Sequence, residues 1–329
     1  VICDSYFKIN ADTYDYKLML IKRYKHIYID GGIESKGIIN YQKVIESLIE
    51  YKIKRDGLIV AIGGGVLGDL SGFLASTYQR GIDLIHVPTT TTAMIDSAIG
   101  GKTGLNYLGQ VNLIGTYYNP KAIFMDLEFL LTLNTRDYYA GICEAIKMSI
   151  TSDEQMFARF FKLANDINSR KIRALEELVY WSVITKLKYV CDDPSEKSTR
   201  IILNYGHTFG QSIETYYGLF QDNLRHGEAI ALGITVAAKL SLLIDENHET
   251  LNLWQQTNKI LNEYNLPNKF SKLKINNLPN LDSLIDNLSN DKKCLSQGNR
   301  FVVSDKIGHA SSRVITNQNL LRDAFSILY

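Results

Sequence analysis

Three side chains of this sequence, Glu144, His207 and His226, have the chemistry of a metal centre, and Lys147 stands beside the first. Glu144 and Lys147 stand three apart in a stretch with helical apolar periodicity, so they share one helix face. His207 follows Asn204-Tyr205-Gly206, and His226 precedes Gly227 and Glu228; each opens a helical pattern beside a glycine. The chain holds only six histidines. One carboxylate and two imidazoles suit a catalytic zinc with a position left open for substrate. These ligands are far apart in sequence, and on spacing alone the plainer account of each histidine, a helix cap or a surface residue, stands ahead. His86 lies in an apolar strand pattern and reads as a packed core residue. His26, His248 and His309 have no polar company.

A second set of residues could hold phosphates. Gly63-Gly64-Gly65-Val66-Leu67-Gly68-Asp69 lies between an apolar strand and a helix. Glycines there let backbone approach an anion, and the helix start offers free N–H groups. Its place at the carboxyl end of a strand favours a pyrophosphate site over a bare turn. Pro88-Thr89-Thr90-Thr91-Thr92 ends the next strand; its hydroxyls either touch a nucleotide or cap the following helix. Asp96, Gly100, Gly101, Lys102, Thr103, Asn106 and Asn112 crowd a glycine-punctuated segment whose lysine suits phosphate or carboxylate. The plainer account is a polar surface loop. Arg80 is a further candidate anion binder, although a lone arginine is commonly solvated.

The elements that must carry these residues fall into two groups. His26–Asp30, Gly57–Ile62, Ile82–Val87 and Ala122–Met125 read as strands, and Val1–Asp4 as the end of one. Helices are expected at Tyr41–Tyr51, with Val44, Ile45, Leu48 and Ile49 on one face, and at about Asp69–Gln79. Alternating strands and helices imply a mostly parallel sheet. From about Asp137 the pattern is helical: Tyr138–Ile150, Leu175–Tyr189, Thr208–Tyr217 and Glu228–Leu243. Strand text returns at Arg300–Val303 and Ser312–Ile315. The fold class is therefore α/β: a Rossmann-like, mostly parallel domain over 1–130 and a mainly α-helical domain over 131–329. The stretch Asp245–Asn290, rich in Asn, Leu and Lys, says little.

Bulk properties narrow the class. The 329 residues are 45% hydrophobic and 22% charged with net charge +1, ordinary for a globular protein and without a field to draw nucleic acid or membranes. No apolar run approaches the roughly 20 residues that span a bilayer. Cys3, Cys143, Cys191 and Cys294 are scattered, as reduced thiols in a cytosolic protein would be. The chain opens on Val1 without an initiator methionine or signal pattern, so some native N-terminal sequence is expected to precede it.

Taken in order, these strings resemble one family. Gly63–Asp69, Pro88-Thr89-Thr90, Asp96 with Gly100–Asn106, Asn112-Leu113-Ile114-Gly115, Glu144-Ala145-Ile146-Lys147, Arg200 with Leu203–Gly210, His226-Gly227-Glu228-Ala229, and Asp291-Lys292-Lys293 before Gly298 and Arg300–Val303 are similar to the motifs of the 3-dehydroquinate synthases, a family of sugar-phosphate cyclases. The resemblance implies an enzyme that uses NAD catalytically and a Zn2+ or Co2+ ion to cyclise 3-deoxy-D-arabino-heptulosonate 7-phosphate with loss of phosphate, in the shikimate route to aromatic amino acids. It implies Glu144, His207 and His226 as metal ligands. It implies NAD contacts at Lys36, Gly64, Gly65, Val66, Leu67, Gly68, Asp69, Thr89, Thr90, Phe129 and Thr132. Substrate contacts would come from Asp96, Lys102, Asn112, Lys147, Lys186, Arg200, Asn204 and one of Lys292 and Lys293, with Glu196 an acidic group nearby. Arg80 would reach the neighbouring subunit's site, which implies a homodimer.

Three positions depart from the family pattern. Gln211 stands where a second histidine usually meets the substrate phosphate; Val111 replaces a lysine near NAD; and the family's glutamate falls on Ile33, with Glu34 beside it. Three other functions fit parts of the pattern. A 2-deoxy-scyllo-inosose or valiolone-type cyclase would tend to lose the Gly100–Gly104 text or the Arg200 equivalent. A metal-dependent polyol dehydrogenase would need no Lys102 cluster. A non-catalytic paralogue would be marked by loss of a metal ligand.

Overall fold

The computed structural model describes residues 1–10, 23–218, 224–275, 277–289 and 299–329. They form two compact units, Val1–Leu133 and Asn134–Tyr329.

The first unit contains strands β1 (Ile2–Asp4), β2 (Ile27–Ile29), β3 (Leu58–Gly63), β4 (Asp83–Pro88), β5 (Lys102–Tyr107), β6 (Gln110–Tyr117) and β7 (Ala122–Ile123). Five make one sheet in the order β2-β1-β3-β4-β7, and every neighbouring pair is parallel. The chain runs outward from β1 to β2 and then returns past β1 to β3. That reversal makes the β1/β3 boundary the switch point at which open α/β sheets place ligands. Helices α1 (Ser5–Ile9), α2 (Ile38–Glu50), α3 (Gly65–Thr77) and α4 (Glu128–Thr132) complete the unit. Val44 and Leu48 of α2 and Leu70, Leu74 and Ala75 of α3 join Ile59, Ala61 and Leu84 in one core. Of the expected α2 face, Val44 and Leu48 are buried while Ile49 is 63% exposed, so the apolar stripe is narrower than its sequence.

Two elements differ from expectation. Helix α3 begins at Gly65 rather than near Asp69, so most of the glycine turn is the helix's own first turn. The segment around Lys102 is a hairpin, with β5 antiparallel to β6. Leu108 and Gly109 link the strands at φ 48° and 75°, the backbone of a two-residue type I′ turn. Gly104 lets the strands close: a Cβ there would stand 2.8 Å from the Ile114 carbonyl oxygen.

The second unit holds α5 (Thr135–Ser152), α6 (Glu154–Asn168), α7 (Ile172–Asp192), α8 (His207–Tyr217), α9 (His226–Ile244), α10 (His248–Glu263), α11 (Leu281–Ser289) and α12 (Gln318–Ser326), with an antiparallel hairpin of β8 (Asn299–Lys306) and β9 (His309–Ile315). Helix α9 is its axis, packing on α5, α8, α10, α12 and β8. Every residue from Ala229 to Ala238 is buried. By length and a mean hydropathy of 1.7 this helix could cross a membrane, contrary to the expectation from sequence, and 72% of it is buried inside the protein. It reads as a core helix. Two close approaches seat it. A Cβ on Gly233 would lie 2.1 Å from the Gly206 carbonyl oxygen and 2.7 Å from the Gly210 nitrogen, and one on Gly227 would lie 2.0 Å from the Ala140 oxygen.

Such contacts are backbone on backbone and cannot yield by a rotamer change. Gly233→Ala is expected to destabilise the chain by at least about 1–3 kcal/mol through overpacking. Calorimetry should show a melting temperature several degrees lower; a shift below about 1 °C would refute the close packing.

His86 on β4 is 6% exposed, and burial pulls its imidazole down to about 4. Its unfolded value is near 6.5, so protons bind the unfolded chain more readily. Stability from neutral His86 is therefore complete above about pH 6.5 and drains away as pH falls towards 4. Urea denaturation at pH 7 and pH 4.5 should show His86→Asn losing about 2–3 kcal/mol less than the wild type over that interval.

Candidate functional site

Glu144 sits mid-way along α5 with its side chain 1% exposed. Its Oε2 accepts a hydrogen bond from the Lys147 ammonium, one turn on. Its Oε1 lies 3.7 Å from His207 Nε2 and 3.6 Å from His226 Nε2. His207 opens α8 after Gly206, whose φ of 76° is left-handed; a side chain at Gly206 would also meet the Ile234 nitrogen at 2.7 Å. His226 opens α9. Three helices thus deliver one donor atom each, all within 4.8 Å of one another. Donors about 2.1 Å from a tetrahedral ion stand about 3.4 Å apart, so these separations fit a divalent cation.

The electrostatics favour positive charge at this point. Burial opposes ionisation of Glu144 more than any other influence, but Lys147, His207 and His226 outweigh it and hold its carboxyl well below the usual range. For His226 desolvation works against the charge, and the Glu214 and Glu144 carboxylates overcome it and raise the imidazole. His226 Nδ1 faces Glu214 Oε1 at 2.9 Å. With its proton on Nδ1, the ring presents the Nε2 lone pair to an ion, an outer carboxylate arrangement common around metal-bound histidines. Glu214 was missed in the sequence, yet it lies seven residues after His207, two turns along the same helix face. Glu228 anchors the start of α9: it accepts from the Arg225 backbone N–H at 2.8 Å and from Nε and Nη2 of Arg136, each at 2.6 Å.

A second cluster follows α7. Arg200 is 2% exposed and its Nη1 donates to the Pro194 carbonyl at 2.9 Å. Asn204 donates to Glu196 Oε1 at 2.6 Å. Lys186 is buried on α7 at 5% exposure. Lys292 and Lys293 lie outside the described residues.

The first unit gathers a third cluster. The Lys36 ammonium donates to Asp69 on α3 and to Asn112 on β6. Asn112 has a left-handed φ of 52°, and its N–H bonds Asn106 Oδ1 at 3.0 Å. Gly64 is the N-cap of α3 and supplies no side-chain cap. The N–H groups of Gly65, Val66 and Leu67 therefore head the helix, with Gly68 the first to bond back, to the Gly64 oxygen at 3.0 Å. The missing Cβ atoms have a packing reason as well: on Gly64 one would meet Thr90 Cγ2 at 3.0 Å, and on Gly65 Ser97 Oγ at 2.7 Å. Ser97 Oγ is buried without a hydrogen-bond partner beside a small cavity lined by Gly63, Gly64, Gly65, His86 and Pro88. An uncapped helix start, no Cβ atoms and an orphaned hydroxyl fit a bound phosphate.

The remaining candidates have local roles in view. Thr89 N–H bonds the Gly63 oxygen at 3.0 Å, and Thr90 Oγ1 accepts from Ala93 N–H at 3.2 Å, which is the capping role. Asp96 lies in the π-helical turn Ala93–Ser97, and Lys102 opens β5 with an exposed side chain. Phe129 stacks edge-on against Phe7, centroids 5.4 Å apart, and Thr132 Oγ1 donates to the Phe129 carbonyl at 3.3 Å. Arg80 is exposed between Gln79 and Gly81, and φ at the three is 53°, 64° and 118°.

The family model of the 3-dehydroquinate synthase N-terminal domain matches residues 26–140, and that of the C-terminal domain matches 141–294. The 3-dehydroquinate synthase of Campylobacter concisus (strain 13826) is 36% identical over 304 residues, 92% of this chain and 82% of that protein. Among solved structures, 2-epi-5-epi-valiolone synthase from Streptomyces hygroscopicus subsp. jinggangensis 5008, with NAD+ and Zn2+ bound, shares the fold at TM-score 0.87 and 23% identity, over 99% of this chain and 89% of that one. A 2-deoxy-scyllo-inosose synthase complexed with carbaglucose-6-phosphate, NAD+ and Co2+ gives TM-score 0.83 and 26% identity over 98% and 89%.

Metal titration checks the first cluster. Zn2+ or Co2+ should raise the melting temperature of the wild type by mass action. Glu144→Gln should abolish that rise, and Glu214→Gln should weaken the ion's affinity about 10–100-fold in chelator competition. An unchanged response in Glu144→Gln would remove the cation from this place.

Proposed function

The chain belongs to the 3-dehydroquinate synthase family, and on that premise we propose that it converts 3-deoxy-D-arabino-heptulosonate 7-phosphate into 3-dehydroquinate and phosphate, with NAD and Zn2+ or Co2+ as cofactors. The observation that carries this is the convergence of Glu144, His207 and His226 from three helices. A relative in the cyclase fold with 26% identity binds NAD+, Co2+ and a sugar-phosphate analogue, which supports the same cofactor pair here. When bound, the cation lowers the pKa of a coordinated hydroxyl and NAD provides a transient hydride acceptor, so no net NADH forms.

The protein's own groups do the rest. Glu144, His207 and His226 would hold the ion, and three protein ligands would leave room for a substrate oxygen. The Lys147 ammonium beside Glu144 keeps the carboxylate ionised and can itself donate to a substrate oxygen. Gly65–Asp69 and Lys36 would bind the dinucleotide, with the N–H groups heading α3 offering donors to its phosphates and Thr89 and Thr90 close by. Lys102, Asn112 and Arg80 hold the substrate phosphate, and Asp96, Asn204 and Glu196 orient hydroxyls. Arg200 and Lys186 hold the carboxylate, for which a guanidinium is the better bidentate partner. Gln211 contributes a neutral donor where the family has histidine.

We also propose that the enzyme is a cytoplasmic homodimer in which Arg80 serves the neighbouring subunit. Left-handed backbone at two consecutive non-glycine residues, Gln79 and Arg80, costs about 1–2 kcal/mol each, and functional placement is the usual reason such strain is kept. The fold matches favour one second reading, a 2-deoxy-scyllo-inosose or valiolone-type cyclase.

The purified protein with NAD and Zn2+ or Co2+ should release phosphate from the heptulosonate phosphate without accumulating NADH. Phosphate release from glucose 6-phosphate alone would favour the second reading. Stoichiometric NADH, or no turnover of any sugar phosphate, would defeat the cyclase proposal.

A further inference from the structure

The turn between α7 and Asn204 is held by a residue with no role so far. Helix α7 ends at Asp192, Asp193 is its C-cap, and Pro194 cannot continue it. Within six residues the chain must reverse into the short 3-10 helix Thr199–Asn204. Three main-chain N–H groups inside this reversal bond one carboxylate: Lys197 gives to Asp193 Oδ1 at 2.9 Å, and Ser198 and Arg200 give to Oδ2 at 2.7 and 3.1 Å. The Glu196 N–H adds a bond to the Asp193 carbonyl at 3.2 Å. Asp193 is 5% exposed, and the N–H bonds, that of Lys197 foremost, keep its carboxyl below the usual range.

The turn is strained. Glu196 has a left-handed φ of 55°. Such conformations persist only where surrounding bonds over-determine them, and charge-assisted bonds are the strong kind. What the turn presents is the Glu196 carboxylate, bonded to Asn204, and the Arg200 guanidinium, bonded to the Pro194 carbonyl. Asp193 thus acts on main-chain donors while the groups with side-chain chemistry lie on either side of the same turn.

We infer that Asp193 is a positioning residue, fixing the 193–200 turn so that Arg200 and Glu196 meet substrate in one geometry. The inference rests on the proposed role of Arg200 as the carboxylate-binding residue. If Arg200 binds a part of the substrate remote from the reacting carbons, loosening the turn removes binding shared by ground and transition states, and KM changes more than kcat.

Asp193→Ala should raise KM for the heptulosonate phosphate about 10–100-fold and alter kcat less than about 3-fold, the scale of a misplaced binding group. Asp193→Asn, which keeps one acceptor oxygen in the same place, should restore much of the loss; it also carries the test if the alanine variant does not fold. Arg200→Lys should raise KM in the wild type and add little in Asp193→Ala, because both changes disable one contact. Co2+ affinity should be unchanged throughout. Hydrogen–deuterium exchange over 193–204 should quicken at least about 10-fold in Asp193→Ala, with other segments unaffected; this readout needs no substrate. A wild type without turnover would defeat the reading of Arg200, while exchange would still decide the positioning. Unchanged exchange, a KM within about 2-fold of wild type, or effects of the two variants that multiply would overturn the inference.

Discussion

The second unit depends on helices brought so close that backbone touches backbone. Gly233 of α9 lies against Gly206 and Gly210 of α8, and Gly227 of α9 lies against Ala140 of α5. These contacts sit next to the ligands. Gly206 precedes His207, Gly227 follows His226, and Ala140 is one turn before Glu144. The spacing of the three donor atoms therefore follows from main-chain separation, which a side-chain rotamer cannot adjust. A carboxylate buried to 1% exposure needs positive charge near it. Lys147 gives part of that charge, and the two imidazoles are placed to hold the remainder in a cation.

The first unit solves a different problem, presenting N–H groups rather than ligands. The reversal of strand order beside β3 opens a crevice at its carboxyl end, and α3 starts there without a side-chain cap. Its glycines answer two demands at once. Thr90 and Ser97 occupy the room a Cβ would need, and the same bareness leaves N–H groups reachable. Lys36 then ties α3 to the β5–β6 hairpin through Asp69 and Asn112.

Much of this was legible in the sequence because it rests on local periodicity. The strands β1 to β4 and the helices α2, α5, α7, α8 and α9 follow period-2 or period-3.6 text, and α3 missed its start only because glycines hide a first turn. The β5–β6 hairpin was not legible: its glycines look like a loop, and their reason is the crossing of two strands at Gly104 and Gly115. Helices α6 and α10 carry period-3.6 stripes as well, Met156, Phe157, Phe160, Ala164 and Ile167 on α6 and Leu253, Ile260 and Leu261 on α10, so their signal was present although they were not among the expected elements. Glu144, His207 and His226 could be named as ligand types, but 63 residues separate the first pair and only the packed helices bring them together. Matching strings to a family joined them beforehand; spacing could not. Glu214 had a usable signal in its seven-residue offset from His207. Asp193 had a weaker one, Asp-Pro at a helix end.

Helix α9 has a consequence for how the protein is made. A nascent chain emerges from its N-terminus, and by the time Ala229–Ala238 appear only α5 and α8 exist to receive them. The partners α10, β8 and α12 are still to be synthesised, the last of them ending at Ser326. Until then an apolar helix with the length and hydropathy of a bilayer segment remains half-covered in water. Ribosome-associated chaperones recognise that kind of surface, so the interval between synthesis of Ala238 and that of Ser326 is one in which this chain is open to aggregation.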